Sequence, residues 1–188
     1  MTVSSSTAHD AAIAKLVADG AADAVVAAFR ARLDALEDPD AGLLPGDRLQ
    51  PLPDLPALED LAEPAPEVAG EVLDRLVVLK LNGGLGTSMG LSAPKSSIEI
   101  KDGHTFLDVV AAQVLALREL HGARLPLVLM DSRSTRGPSL DILEQHPGLS
   151  ADVPPDFLQS REPKLLADTH EPVRWPADPA LELSLIHI

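Results

Sequence analysis

The sequence predicts an α/β fold built on a parallel sheet, and three of its stretches support this. Leu76 to Leu81 and Leu125 to Met130 are short, nearly uninterrupted runs of Val and Leu, the pattern of strands buried on both faces. Between them, Phe106, Leu107, Val110, Val114, Leu117 and Leu120 recur at helical spacing and give one apolar face. Strand, helix and strand in that order imply a βαβ crossover and therefore parallel pairing.

From the N-terminus, Met1 to Thr7 is a polar tail with nothing to order it. Ile13, Leu16, Val17, Val25, Val26, Phe29, Leu33 and Leu36 then follow a 3.6-residue period, predicting an amphipathic helix over 8–36 that Gly20 bends or interrupts. Its charged face, with Asp10, Lys15, Asp19, Asp23, Arg30, Arg32 and Asp34, reads as solvated. Seven prolines between Pro39 and Pro66 exclude a regular helix or central strand there. The leucines among them, Leu43, Leu44, Leu49, Leu52, Leu55 and Leu58, predict a connector that packs along the domain after it. The organisation expected is a helical segment over 1–37, a connector over 38–70, an α/β domain over 71–182 and a separate tail over 183–188.

Further on, Ser97 to Lys101 alternates as a half-exposed strand, and Asp102-Gly103 marks a turn. Thr105 with Asp108 three positions later has the spacing of a capping box, and Gly122 suits the helix stop. Pro138 to His146 predicts a short helix with the proline in its first turn.

The chemistry lies after the first strand. Gly83, Gly84, Gly86 and Gly90 leave no Cβ in the way and permit positive φ, so successive amides can form an anion-binding nest. Lys95, following Pro94, adds a point charge suited to phosphate. Neither standard template fits: a Walker A loop sets its lysine directly at the helix start, and Gly84, Gly86 and Gly90 are one residue too long for G-x-G-x-x-G. On the residues alone, an ordinary βα connection with a surface lysine stays open. In open parallel sheets ligands bind beyond the carboxyl ends of strands, so Asn82 and Met130-Asp131-Ser132 should border one crevice.

The run Leu81-Asn82-Gly83-Gly84-Leu85-Gly86-Thr87-Ser88-Met89-Gly90 with Pro94-Lys95-Ser96 resembles the signature loop of the eukaryotic-type UDP-glucose pyrophosphorylases. The resemblance implies a Rossmann-like nucleotidyltransferase fold of the GT-A-like kind, its mixed or parallel sheet incomplete here and preceded by the N-terminal helix. It implies an enzyme joining UTP and glucose 1-phosphate into UDP-glucose and pyrophosphate with magnesium. The implied UTP-binding residues are Leu81, Asn82, Gly83, Gly84, Lys95 and Gln159, with Lys95 catalytic and Gln159, in Phe157-Leu158-Gln159-Ser160, reading the uracil edge. Met130 and Asp131 are implied on the uridine side, although Asp131 stands where the family usually has asparagine. Leu91 and Ala93 replace the usual cysteine and glycine, and Ala93 would be strained if the loop needs positive φ there.

The likeness extends to Trp175, and the family continues further, with its magnesium ligand expected outside this chain. Leu183 to Ile188, a hexapeptide that a common sequencing adapter also encodes, is expected to be non-native, which would make the chain a piece without activity of its own. Two other readings stay open, a UDP-N-acetylhexosamine pyrophosphorylase and a non-catalytic nucleotide-binding module. A formal charge of -14 over 188 residues argues against a nucleic-acid surface, and with no cysteine there is no disulfide framework. His104, His121, His146 and His170 show no metal-ligand spacing. With no bilayer-spanning run and no basic leader, the expectation is a cytoplasmic protein without a membrane partner, of unknown oligomeric state.

Overall fold

A computed structural model describes residues 5–36, 38–86, 90 and 92–184. Thr87, Ser88, Met89 and Leu91 of the glycine loop, and residues 185–188 of the tail, lie outside the described residues. The chain forms two units, one from residues 1–58 with 160–188 and the other from 59–159.

In the first unit the single helix expected over 8–36 is two, α1 (Ser5–Ala18) and α2 (Asp23–Ala35). The break falls at Gly20, where φ is +82°, a left-handed conformation that costs glycine least. The two helices close on Ala12, Ile13, Leu16, Phe29 and Leu33. Several charges expected in solvent are instead partnered. Lys15 donates to the Val173 carbonyl at 2.8 Å and to Glu182, Arg32 pairs with Glu162, and Arg161 pairs with Asp19. Two short strands, Glu162–Pro163 and Leu183–Ser184, pair antiparallel within this unit.

The connector departs from expectation. Leu43, Leu44, Leu49, Leu52, Leu55 and Leu58 are all exposed, so the burial that they suggested is not found. Proline denies this stretch the regular elements that would present one apolar face. Its last residues, from Pro66, belong to a helix, α3 (Pro66–Asp74), with proline at the first position, where its missing N–H costs nothing.

The second unit is built on β1 (Val78–Asn82). A hairpin of β2 (Glu99–Lys101) and β3 (His104–Thr105) turns through Asp102 and Gly103, with φ of +53° and +80°, the paired left-handed residues of a type I′ turn. Then α4 (Phe106–His121) starts on the Thr105–Asp108 capping box and stops at Gly122 in the left-handed region, as predicted. After β4 (Leu127–Asp131) come α5 (Arg136–Leu143), which begins two residues before Pro138, and β5 (Asp156–Leu158).

The sheet order is β1-β4-β5, all parallel, with Asn82 opposite Asp131 and Asp131 opposite Leu158. One face carries Leu127 and Leu129, which pack with Leu107, Ala111 and Val114 of α4 and Leu143 of α5. On the other, Leu79, Leu81 and Phe157 are exposed, so β1 is covered on one face and not on both as its apolar run suggested. The α4 face is also narrower than predicted: Phe106, Leu117 and Leu120 are exposed, and Ala111 is buried in their stead. Among the described residues no helix is long and apolar enough to cross a membrane.

Candidate nucleotide site

The three strand ends lie side by side, and the residues that follow them make the site. The loop after β1 folds back on itself: Gly86 N–H donates to the Ala93 carbonyl at 3.0 Å, and Lys95 N–H to the Gly84 carbonyl at 3.2 Å. Lys95 is thereby held beside the glycines with its side chain exposed. Among the described residues no hydrogen bond from the Gly83 or Gly84 amide is found, and amides in this place, just past a strand end, suit an anionic oxygen.

At Gly83 the absence of a side chain matters for a reason other than φ. Of the positions described, Gly90 has φ of +74°, whereas Gly83 and Gly84 are not in the left-handed region. At Gly83 a Cβ would collide with the Gln159 carboxamide, 2.5 Å from its carbon. A side chain at Gly83 would therefore have to displace that carboxamide. Gln159 is itself placed by its own backbone, its N–H donating to the Asp131 carbonyl at 2.8 Å. The structure thus brings Gly83 and Gln159, 76 positions apart in the sequence, into contact. Ala93 also lies outside the left-handed region, so its methyl costs no backbone strain.

Beneath the loop is a buried polar cluster. Asn82 Nδ2 donates to Asp131 Oδ1 and to Ser139 Oγ, both at 2.7 Å, and Asn82 Oδ1 accepts from Ser96 Oγ at 2.5 Å. Ser139 Oγ donates on to the Thr135 carbonyl at 2.7 Å, and Thr135 Oγ1 donates to Asp131 Oδ1 at 3.1 Å. The Asn82 side chain is thus spent inside the protein, and what it offers a ligand is its backbone. Asp131 is likewise enclosed, at 0% exposure, and does not face the crevice. Burial pushes its carboxyl above the ordinary value, while the hydrogen bonds from Asn82 and Thr135 act the other way.

Leu81 and Met130 are neighbours across the sheet, on its uncovered face, away from the cluster. Thr135 and Ser139 were not anticipated, and Ser96 stood in the signature loop without a role. The one signal that could have found Ser96 is its place beside Pro94-Lys95, and Ser139 sits in a helix with nothing in its surroundings to mark it.

A parallel sheet with a glycine loop closing one strand, a lysine pinned beside it and an amide side chain laid on the glycine defines a Rossmann-like α/β domain. The comparisons with known proteins are more specific. The family model for UTP--glucose-1-phosphate uridylyltransferase matches residues 37–185, and the chain belongs to that family. It is 42% identical over 134 residues to the Solanum tuberosum UTP--glucose-1-phosphate uridylyltransferase, 71% of this chain and 26% of that one. The Hordeum vulgare enzyme is 38% identical over 135 residues, with the same coverage.

Among solved structures, the UDP-glucose pyrophosphorylase from Leishmania major superposes with a TM-score of 0.84 at 36% identity, over 95% of this chain and 37% of that one. A Trypanosoma brucei structure titled UDP-glucose phosphorylase gives 0.80 at 33% identity, over 95% and 38%. The chain spans about a quarter of the length of the curated relatives it matches.

Proposed function

We propose that this chain supplies the nucleotide-phosphate loop and the base-reading glutamine of a uridylyltransferase that forms UDP-glucose and pyrophosphate from UTP and glucose 1-phosphate. The observation that supports it most is the Gln159 carboxamide lying on Gly83, next to the loop that holds Lys95. A carboxamide donates and accepts at once, the pair of functions that the uracil edge presents. The loop amides and the Lys95 ammonium suit the triphosphate, and charge developing on the α-phosphate during displacement would be stabilised by the same groups. The sugar is read as glucose, in line with the relatives' names, and a cytoplasmic setting belongs to the same proposal.

Magnesium is implied by the family. Among the described residues no three His, Cys, Asp or Glu side chains cluster as a metal site, and Asp131 is enclosed. The described residues do not fit a metal centre.

Calorimetric titration of the chain with UTP and with CTP tests the reading. UTP should bind more tightly, Lys95→Ala should weaken both by about tenfold or more, and Gln159→Ala should erase the preference between them. Equal binding of the two nucleotides by the unaltered chain would overturn the base-reading role. Gly83→Ala should act like Gln159→Ala, because the added methyl displaces that carboxamide.

A further inference from the structure

Asp131 has an uneven set of partners. Both its hydrogen bonds, from Asn82 and Thr135, fall on Oδ1, and the buried Oδ2 has no partner among the described residues. An ionised carboxylate sealed from water needs donors on both oxygens or a paired cation, and here it has neither. The charged groups facing it are Asp156 on β5, which opposes a second negative charge, and Arg136 on α5. That guanidinium is committed to Asp156, through Nε at 2.5 Å and a terminal nitrogen at 3.1 Å. From β1 and the turn at Lys95–Ser97 the cluster receives neutral Asn82 and Ser96.

A proton on Oδ2 removes the buried charge and leaves a neutral hydroxyl, whose desolvation costs far less than that of an ion. The neutral acid then presents Oδ1 as a carbonyl accepting two hydrogen bonds, as an asparagine oxygen would. We propose that Asp131 is a positioning residue for the nucleotide loop and works in its protonated form, orienting Asn82 and through it Ser96 and Lys95. The chain of contacts is continuous: Asp131 Oδ1 holds the Asn82 amide, the Asn82 oxygen holds Ser96 Oγ, and Ser96 is bonded to Lys95 along the backbone. Ionisation would leave Oδ2 seeking a donor. Rotation of the Asn82 amide to supply one would release Ser96, and water could supply one only by entering the cluster. Loop order, and with it nucleotide affinity, therefore falls as pH rises.

The inference rests on the nucleotide reading only for what the loop binds, so it is tested first without nucleotide. Amide hydrogen exchange of the chain, corrected for intrinsic rates, reports the bonds of Lys95 to Gly84 and Gly86 to Ala93. From mildly acidic to mildly alkaline pH, protection at both amides should fall by about tenfold in the unaltered chain and stay within about twofold in Asp131→Asn, which keeps the carbonyl and cannot ionise. Protection in α4 should be the same in both, showing that the variant folds. The carboxyl carbon resonance of Asp131 should titrate above the ordinary 3.8.

Identical pH profiles in the two chains, or titration of Asp131 below the ordinary value, would overturn the proposal. UTP titration across the same range then separates the two readings. Failure of UTP to bind the unaltered chain counts against the proposed function and leaves the exchange result standing. Where UTP binds, its affinity should follow the loop's profile, and the Asp131→Asn chain should show only the pH dependence contributed by UTP and Lys95.

Discussion

Two carboxylates of the same unit, at the carboxyl end of the sheet and at the start of α4, show how distribution of partners outweighs their presence. Asp131 and Asp108 are both largely shielded from water and both accept hydrogen bonds. Asp108 has both oxygens occupied: Oδ2 accepts the Thr105 N–H and hydroxyl, each at 2.7 Å, and Oδ1 lies 2.8 Å from His146 Nε2. Burial alone would push it up, but these hydrogen bonds and the histidine outweigh burial and bring it down to about 2. In Asp131 both partners crowd one oxygen, burial wins, and the carboxyl moves up. The amphiphilic helix start is thus a place for charge, and the cluster under the loop is not.

The largest effect expected from breaking this contrast is at Asn82. Asn82→Ala strands Asp131, Ser139 and Ser96 together in a buried site and should lower stability by about 3 kcal/mol, read from the urea midpoint. Next is Asp108→Asn, expected to cost about 2 kcal/mol at neutral pH. Its sign follows from a depressed pKa: the stabilisation is present above the ordinary 3.8 and is lost as pH falls toward about 2, so the two chains should converge there.

Asp131→Asn should behave in the opposite sense. With a raised pKa, the favourable contribution of the neutral acid is complete below 3.8 and is lost as pH rises through the folded value. The variant should therefore gain on the unaltered chain at alkaline pH, by on the order of 1 kcal/mol, and match it in acid. Thermal melts at several pH values check both curves. The smallest effect belongs to Thr105→Ser, which keeps the capping hydroxyl and should change stability by about 0.5 kcal/mol or less.

Much of the second unit was legible because its signals are local. The capping box, the Asp102-Gly103 turn, the Gly122 stop and the two apolar runs each act through neighbours within a few residues, and each is where it was expected. The break between α1 and α2 was legible only as the alternative that Gly20 allowed. The extent of burial was not legible. Leu79 and Leu81 read as core and are exposed, because a run of leucines states that a strand can be covered on both faces but not that a layer lies over each. The connector leucines fail for the same reason. In the site, Lys95 and the glycines were readable as a loop, while the reason for Gly83 was not, since it is the side chain of Gln159 that occupies the space a Cβ would take.

By itself the sequence determined the order of strand, loop, helix and strand and the family signature, because these depend on short-range pattern and residue type. Only the tertiary structure decided which residues share a site and in what state. Asn82 turned inward, Asp131 lost access to water, and Ser96 and Ser139 became partners, because hydrogen-bond geometry and burial depend on contacts between strand ends and a helix that lie 14 to 57 positions apart in the chain. An ionisable group takes its state from that surrounding, not from its own chemistry.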